Sequence, residues 1–172
     1  MVKEFEKSIK STAILSDDED YRYKLTRVWD EGKPNAAVVM LNPSKADMLI
    51  TDRTIMNVTN YLMENSYGSI AVVNLFSYRA TNPKFLSQRD VKQEALNDEY
   101  LMQAFADSDV IIVAWVRAKD KYVSRKREVE KLLGEYRDKI KCFEDGNGKK
   151  LRHPRDLVSD WKLVNYKFMY IN

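Results

Sequence analysis

AAVVMLNPSKAD, residues 36–47, changes character at one point. Its first six residues are small, branched or apolar throughout, the signature of a strand covered on both faces of a sheet. Pro43 then biases Asn42 away from the helical region, so the strand ends on an amide side chain at the mouth of the sheet. Similar runs recur at residues 69–75 (SIAVVNL), 109–115 (DVIIVAW) and 139–143 (KIKCF). Helix-period segments separate them. Residues 51–65 place Ile55, Val58 and Leu62 at spacings of three and four behind Asp52 as N-cap. Residues 90–107 repeat the idea with Leu101, Ala104 and Phe105, and residues 124–138 carry a stripe of Val129, Leu132, Leu133 and Tyr136. Strands alternating with helices predict right-handed βαβ crossovers, hence a three-layer α/β sandwich with helices on both faces. Ahead of it, residues 11–15 and 21–29 flank the acidic turn SDDED and predict an N-terminal β-hairpin, with Tyr21, Tyr23 and Leu25 alternating against Arg22, Lys24 and Thr26.

The length of 172 residues fits one domain, residues 1–172, and a hydrophobic content of 44% can build its core without covalent staples. A single cysteine, Cys142, and a single histidine, His153, leave no internal disulfide and no thiolate cluster, so no metal and no cofactor are expected. No apolar run approaches the roughly 20 residues that span a bilayer, and the opening MVKEFEKSIK is too charged for a secretory leader. The expectation is therefore a cytoplasmic chain with no membrane partner.

The net charge of +3 hides an asymmetry: between Trp115 and Arg155 fourteen Lys and Arg stand against seven Asp and Glu. Two runs account for much of it, Arg117, Lys119, Lys121, Arg125, Lys126 and Arg127, then Lys149, Lys150, Arg152 and Arg155. Such clusters suit a phosphate backbone, although an isolated run is more often a solvated face. Lys45 and Arg79, in the connections after the first two core strands, join them as candidate phosphate contacts. In open α/β sheets the ligand site lies beyond the carboxyl ends of the strands. Those ends carry Asn42, then Asn74 with Phe76 and Tyr78, then Trp115, then His153. Asn and Pro are common wherever strands end, but four connections bearing amide, amide, indole and imidazole mark one edge as the place for a site.

Two resemblances rest on these residues. YRYKLTRVW, MLNPSKAD, DRTI, VVNLFSYRATNP, VAW and HP, spread over nearly the whole chain, resemble the bacterial and phage family known as domain of unknown function 1643, which brings no activity with it. More distantly, the order and strand position of LNPS, VVNL, VAW and HPRD are similar to the motifs of the uracil-DNA glycosylase superfamily. That likeness implies a four-stranded parallel sheet in the order 2-1-3-4. It also implies that Asn42 positions a water, Asn74 reads a base edge and His153 is the catalytic histidine. Physically, an amide can pair with a base edge, and an imidazole can donate toward a departing base where negative charge develops. Phe76, Tyr78 or Trp115 would stack on a flipped nucleotide. Asn42 stands where the most active relatives carry aspartate, which leaves Asp47 or Asp52 to supply a carboxylate if folded inward.

The first expectation is thus a DNA glycosylase-like hydrolase acting on a modified or damaged base, with nucleic acid, DNA foremost, or a nucleotide as its partner. The alternative, favoured by the missing carboxylate at Asn42, is an inactive module of the same fold that binds nucleic acid, nucleotide or a protein partner, as a phage-type accessory factor would. A divalent-ion hydrolase built on Asp47 and Asp52 ranks last, because acid pairs at that spacing are usually helix caps.

Overall fold

The computed structural model describes residues 1–115 and 121–171. The hairpin forms as expected from β1 (Lys10–Leu15) and β2 (Arg22–Val28). Then come β3 (Asn35–Met40), α1 (Arg53–Glu64), β4 (Ser69–Asn74), α2 (Val91–Glu94), α3 (Asn97–Asp107), β5 (Val110–Val113), α4 (Val123–Leu133), β6 (Ile140–Glu144) and β7 (Lys162–Asn165).

The sheet corrects the four-stranded expectation: it has seven strands in the order β1-β2-β4-β3-β5-β6-β7. β4, β3, β5 and β6 pair in parallel, while β2 joins β4 and β7 joins β6 in antiparallel fashion. Both edges that a purely parallel sheet would leave open are thereby covered. Along the parallel strands alternate residues serve opposite faces. Ala37, Val39, Val73, Ile111 and Val113 pack with Leu101, Ala104 and Phe105 of α3 and Val129 and Leu133 of α4. Ala36, Val38, Ile70, Val72 and Ile112 pack with Ile55, Val58, Tyr61 and Leu62 of α1. Helices therefore cover both faces, which is why these strands read as unbroken apolar runs.

The expected helix over residues 90–107 is broken. Glu94 and Asn97 both turn to the chain leaving β4: the Glu94 carboxylate accepts from Ser77 N at 3.1 Å and Tyr78 N at 3.0 Å, and Asn97 Nδ2 donates to Asn74 O at 2.9 Å and Leu75 O at 3.1 Å. Satisfying those buried backbone groups outweighs one continuous helix. At the other end of the chain, fully buried Glu130 of α4 accepts from the Tyr166 hydroxyl and from the backbone N–H groups of Met169, Tyr170 and Ile171 at 3.0, 2.7 and 3.0 Å. Among the described residues no helix is long and apolar enough to cross a membrane.

Candidate functional site

The connections leaving β3, β4, β5 and β6 open on one edge of the sheet, and a cleft of about 610 Å³ lies there. This is the location that an open α/β sheet assigns to a ligand, where β3 feeds one flank and β5 the other. Backbone bonds carry the sheet past its last strand residues, Leu75 N to Met40 O at 2.8 Å, Phe76 N to Leu41 O at 3.0 Å and Ala114 N to Val39 O at 2.8 Å. They fix the roots of three connections before any side chain acts.

Asn42 stands immediately beyond. Its Nδ2 donates to Ala80 O at 2.6 Å and Pro43 O at 3.0 Å, while Ala80 N donates to Pro43 O at 3.1 Å, so the amide stitches the connection after β3 to the one after β4. Asp52 caps α1 with one carboxylate oxygen, accepting from Ile55 N at 2.8 Å, and accepts a short hydrogen bond from the Ser44 hydroxyl with the other. His153 follows β6. Its Nδ1 accepts from Arg155 N at 3.2 Å, which places the proton of the neutral ring on Nε2. Burial, reinforced by Arg155, lowers its pKa below the ordinary value against the opposing pull of Asp156 and Asp52, so the ring is neutral at pH 7.

Asn42, Asp52, Trp115, His153, Lys126 and Arg155 all line this cleft. Of the other expected residues that the structure describes, only Lys121 joins them. Asn74 is buried at the end of β4, opposite Met40, and neither its amide oxygen nor its nitrogen has a hydrogen-bond partner. Phe76 is buried edge-on to Tyr122 with ring centroids 5.2 Å apart, and Tyr78 packs on Tyr21 at the same centroid distance. Trp115 lines the cleft while fully buried, with Tyr166 edge-on at 6.1 Å, and its Nε1 has no hydrogen-bond partner among the described residues. Asp47 turns back on its own loop, accepting from Leu49 N at 2.9 Å and Ile50 N at 2.8 Å, and those bonds hold its pKa below the usual carboxylate value.

The basic residues divide as sharply. Arg79 bonds the carbonyls of Glu19, Lys45 and Ser44 at 3.0, 3.3 and 3.5 Å, a staple between loops. Arg125 pairs with Asp98 and Glu128 and donates to Leu75 O at 2.8 Å; Arg127 donates to Tyr170 O at 3.1 Å. Lys150 lies 3.7 Å from Glu144 and Arg152 lies 3.1 Å from Asp145, and neither of these two side chains lines the cleft. Lys45 and Lys149 are exposed and outside the lining as well. Arg117 and Lys119 lie outside the described residues.

Residues that sequence reasoning passed over complete the cleft. Lys84, Tyr122 and Ser44 line it, as does Lys121, which the basic run had included. Tyr122 begins α4 in the left-handed region, φ 61°, and its hydroxyl donates to Pro83 O at 3.3 Å, bridging two connections. Arg22 is the largest omission. The alternation of β2 reads it as outward, yet it is 1% exposed, its Nη1 bonds Ala46 O, and it lines the cleft. Burial first, with Arg79 and Arg27 adding to it and Asp52 opposing, pushes its pKa down to about 10. The only sequence signal was a guanidinium set between two tyrosines.

The cleft thus gathers five cationic side chains, Arg22, Lys84, Lys121, Lys126 and Arg155, around one carboxylate, one imidazole and two amides, Asn42 and Asn82, among the described residues. No three His, Cys, Asp or Glu side chains gather as a metal-ligand set among them. Such an arrangement is electrostatically suited to an anion and presents a neutral imidazole donor beside it. An α/β chain with a cation-lined cleft at its strand ends is the class that fold and site define. Residues 22–155 match the family model described as protein of unknown function (DUF1643), and the chain belongs to that family. No curated protein and no solved structure matches it.

Proposed function

We propose that the protein is glycosylase-like, holding a modified or damaged base of DNA in the strand-end cleft and hydrolysing its N-glycosidic bond. The observation that carries the reading is that Asn42 and Asp52, from the connection after β3, and His153, from the connection after β6, line one cation-rich cleft. The order of the parallel strands, β4-β3-β5-β6, supports it by matching the 2-1-3-4 arrangement of the uracil-DNA glycosylase superfamily. As the bond from the sugar C1′ to the base nitrogen breaks, its electron pair goes to the base and negative charge spreads to the base carbonyls. His153 Nε2–H donates there. Both hydrogen bonds of the Asn42 side chain leave from Nδ2, so Oδ1 is available to orient the water that adds to C1′, and the proton this water sheds goes to the departed base, which leaves neutral. Asp52, held by Ser44 and the start of α1, faces the positive charge that develops on the sugar.

Oligonucleotides containing uracil, hydroxymethyluracil and other modified bases, incubated with the chain and then treated with alkali, are expected to break. His153→Ala should slow cleavage at least about 100-fold. Strand breaks at the same rate in that variant, or with no base at all, refute hydrolysis. The burial of Asn74 and Trp115 favours a second reading, the same cleft as a binding module without chemistry. Nucleic-acid binding that survives His153→Ala, with no cleavage of any substrate, selects it.

A further inference from the structure

Arg22 is a buried cation that no carboxylate contacts among the described residues; Asp52 and Asp47 act on it only through space. It is 1% exposed, and among the described residues it makes no ion pair. Among the described residues one of its five N–H donors is used, Nη1 to the carbonyl of Ala46, while Nε is buried and finds no partner there. The nearby carboxylates are spent elsewhere. Asp52 holds Ile55 N and the Ser44 hydroxyl, and Asp47 holds Leu49 N and Ile50 N. The neighbouring guanidiniums make the local balance more positive, not less: Arg27 binds Thr51 Oγ1 and Asp47 O, and Arg79 binds the carbonyls of Ser44, Lys45 and Glu19, so both are committed to loop contacts. A desolvated, unpaired guanidinium is expensive to keep in a fold and is retained where a ligand completes it. Arg22 lines the cleft, so the completing group arrives there.

We propose that Arg22 is the anion-recognition residue of the cleft, its guanidinium taking phosphoryl oxygens of a nucleotide, whether the phosphate is terminal or esterified in a strand. The planar fork matches two phosphoryl oxygens as an ammonium cannot. This rests on the cleft being the ligand site but not on hydrolysis taking place in it.

The test is calorimetric titration of the full chain with inorganic phosphate, deoxyuridine 5′-monophosphate, deoxyuridine and an eight-residue oligothymidylate. The wild type is expected to bind the phosphate-bearing probes, and Arg22→Met to bind them at least tenfold more weakly while its affinity for deoxyuridine is unchanged. Arg22→Lys falls between. A stronger response to the monophosphate than to the oligonucleotide assigns a terminal phosphate, and the reverse assigns a strand phosphodiester. Equal affinity of Arg22→Met and wild type for the phosphate probes overturns the proposal, as does failure of the wild type to bind any of them. Should Arg22→Met not fold, the wild-type Arg22 Nε–H resonance decides: it shifts with phosphate and not with deoxyuridine, and an unmoved resonance overturns the assignment. Phosphate binding without strand cleavage leaves this proposal standing and removes the glycosylase reading. Cleavage with an unchanged KM in Arg22→Met does the opposite.

Discussion

Asn42→Asp would put a carboxylate where the glycosylase resemblance places one, and the structure gives it an adverse surrounding. Nδ2 of the native amide donates to Ala80 O at 2.6 Å and to Pro43 O at 3.0 Å. An aspartate oxygen in that place has nothing to donate and confronts two carbonyl oxygens. Two neutral hydrogen bonds are lost at about 1 kcal/mol each, and leaving Ala80 O unmatched, while Pro43 O keeps Ala80 N, adds about another 1 kcal/mol, for a total of about 3 kcal/mol. The sign with pH follows from the protonated acid, which regains one donor toward Ala80. Its folded-state pKa therefore lies above its unfolded value, and the stability that the proton restores is lost as pH rises through the folded value. Urea unfolding of wild type and variant side by side should show a difference of about 1 kcal/mol near pH 4, growing to about 3 kcal/mol near pH 7.5. A difference that does not change with pH, or a variant as stable as the parent at neutral pH, refutes the assignment of the amide as a donor between the two loops.

His153 is the only histidine, so its ring protons can be followed without assignment ambiguity, and their titration midpoint should fall below the ordinary 6.5 because burial and Arg155 oppose the charged form. With the folded value depressed, the linked stability is complete above the unfolded pKa and is lost as pH falls through the folded one; His153→Gln should abolish that slope, and an unchanged slope counts against the cause given. Glu130→Gln turns an amide N–H₂ toward backbone N–H groups that now find a carboxylate, and should cost about 3 kcal/mol in chemical unfolding, with cleavage near Tyr170 by chymotrypsin appearing at lower protease concentration. Stability within about 0.5 kcal/mol of wild type refutes the role.

The four parallel strands were legible because each is a short β-branched run set between helical stripes, a pattern that burial on both faces imposes. β7 was not. Lys162–Asn165 is a short edge strand with its ends exposed, and nothing in such a stretch separates it from a loop until β6 offers it a partner. Arg22 went astray for a related reason. Strand alternation tells which residues share a face but not what covers that face, and here the loop over residues 42–52 folds across it through Ala46. The basic run on α4 shows how adjacency in sequence misleads. Consecutive helical residues point about 100° apart, so Arg125 reaches Asp98, Lys126 the cleft and Arg127 the C-terminal segment. Asn74 was placed at the correct strand end, but it is 1% exposed there, and strand position alone does not reveal burial.

The Glu130 cage also bears on how the protein should be handled at the bench. It grips the backbone of Met169, Tyr170 and Ile171, beyond the residues that the family model matches, and it sits one turn along α4 from Lys126 in the cleft. An affinity tag or fluorescent fusion joined directly after these residues pulls on the same helix that lines the site. Residues 1–9 are exposed and precede the first strand, so a handle attached there leaves the cleft in its native state for assay.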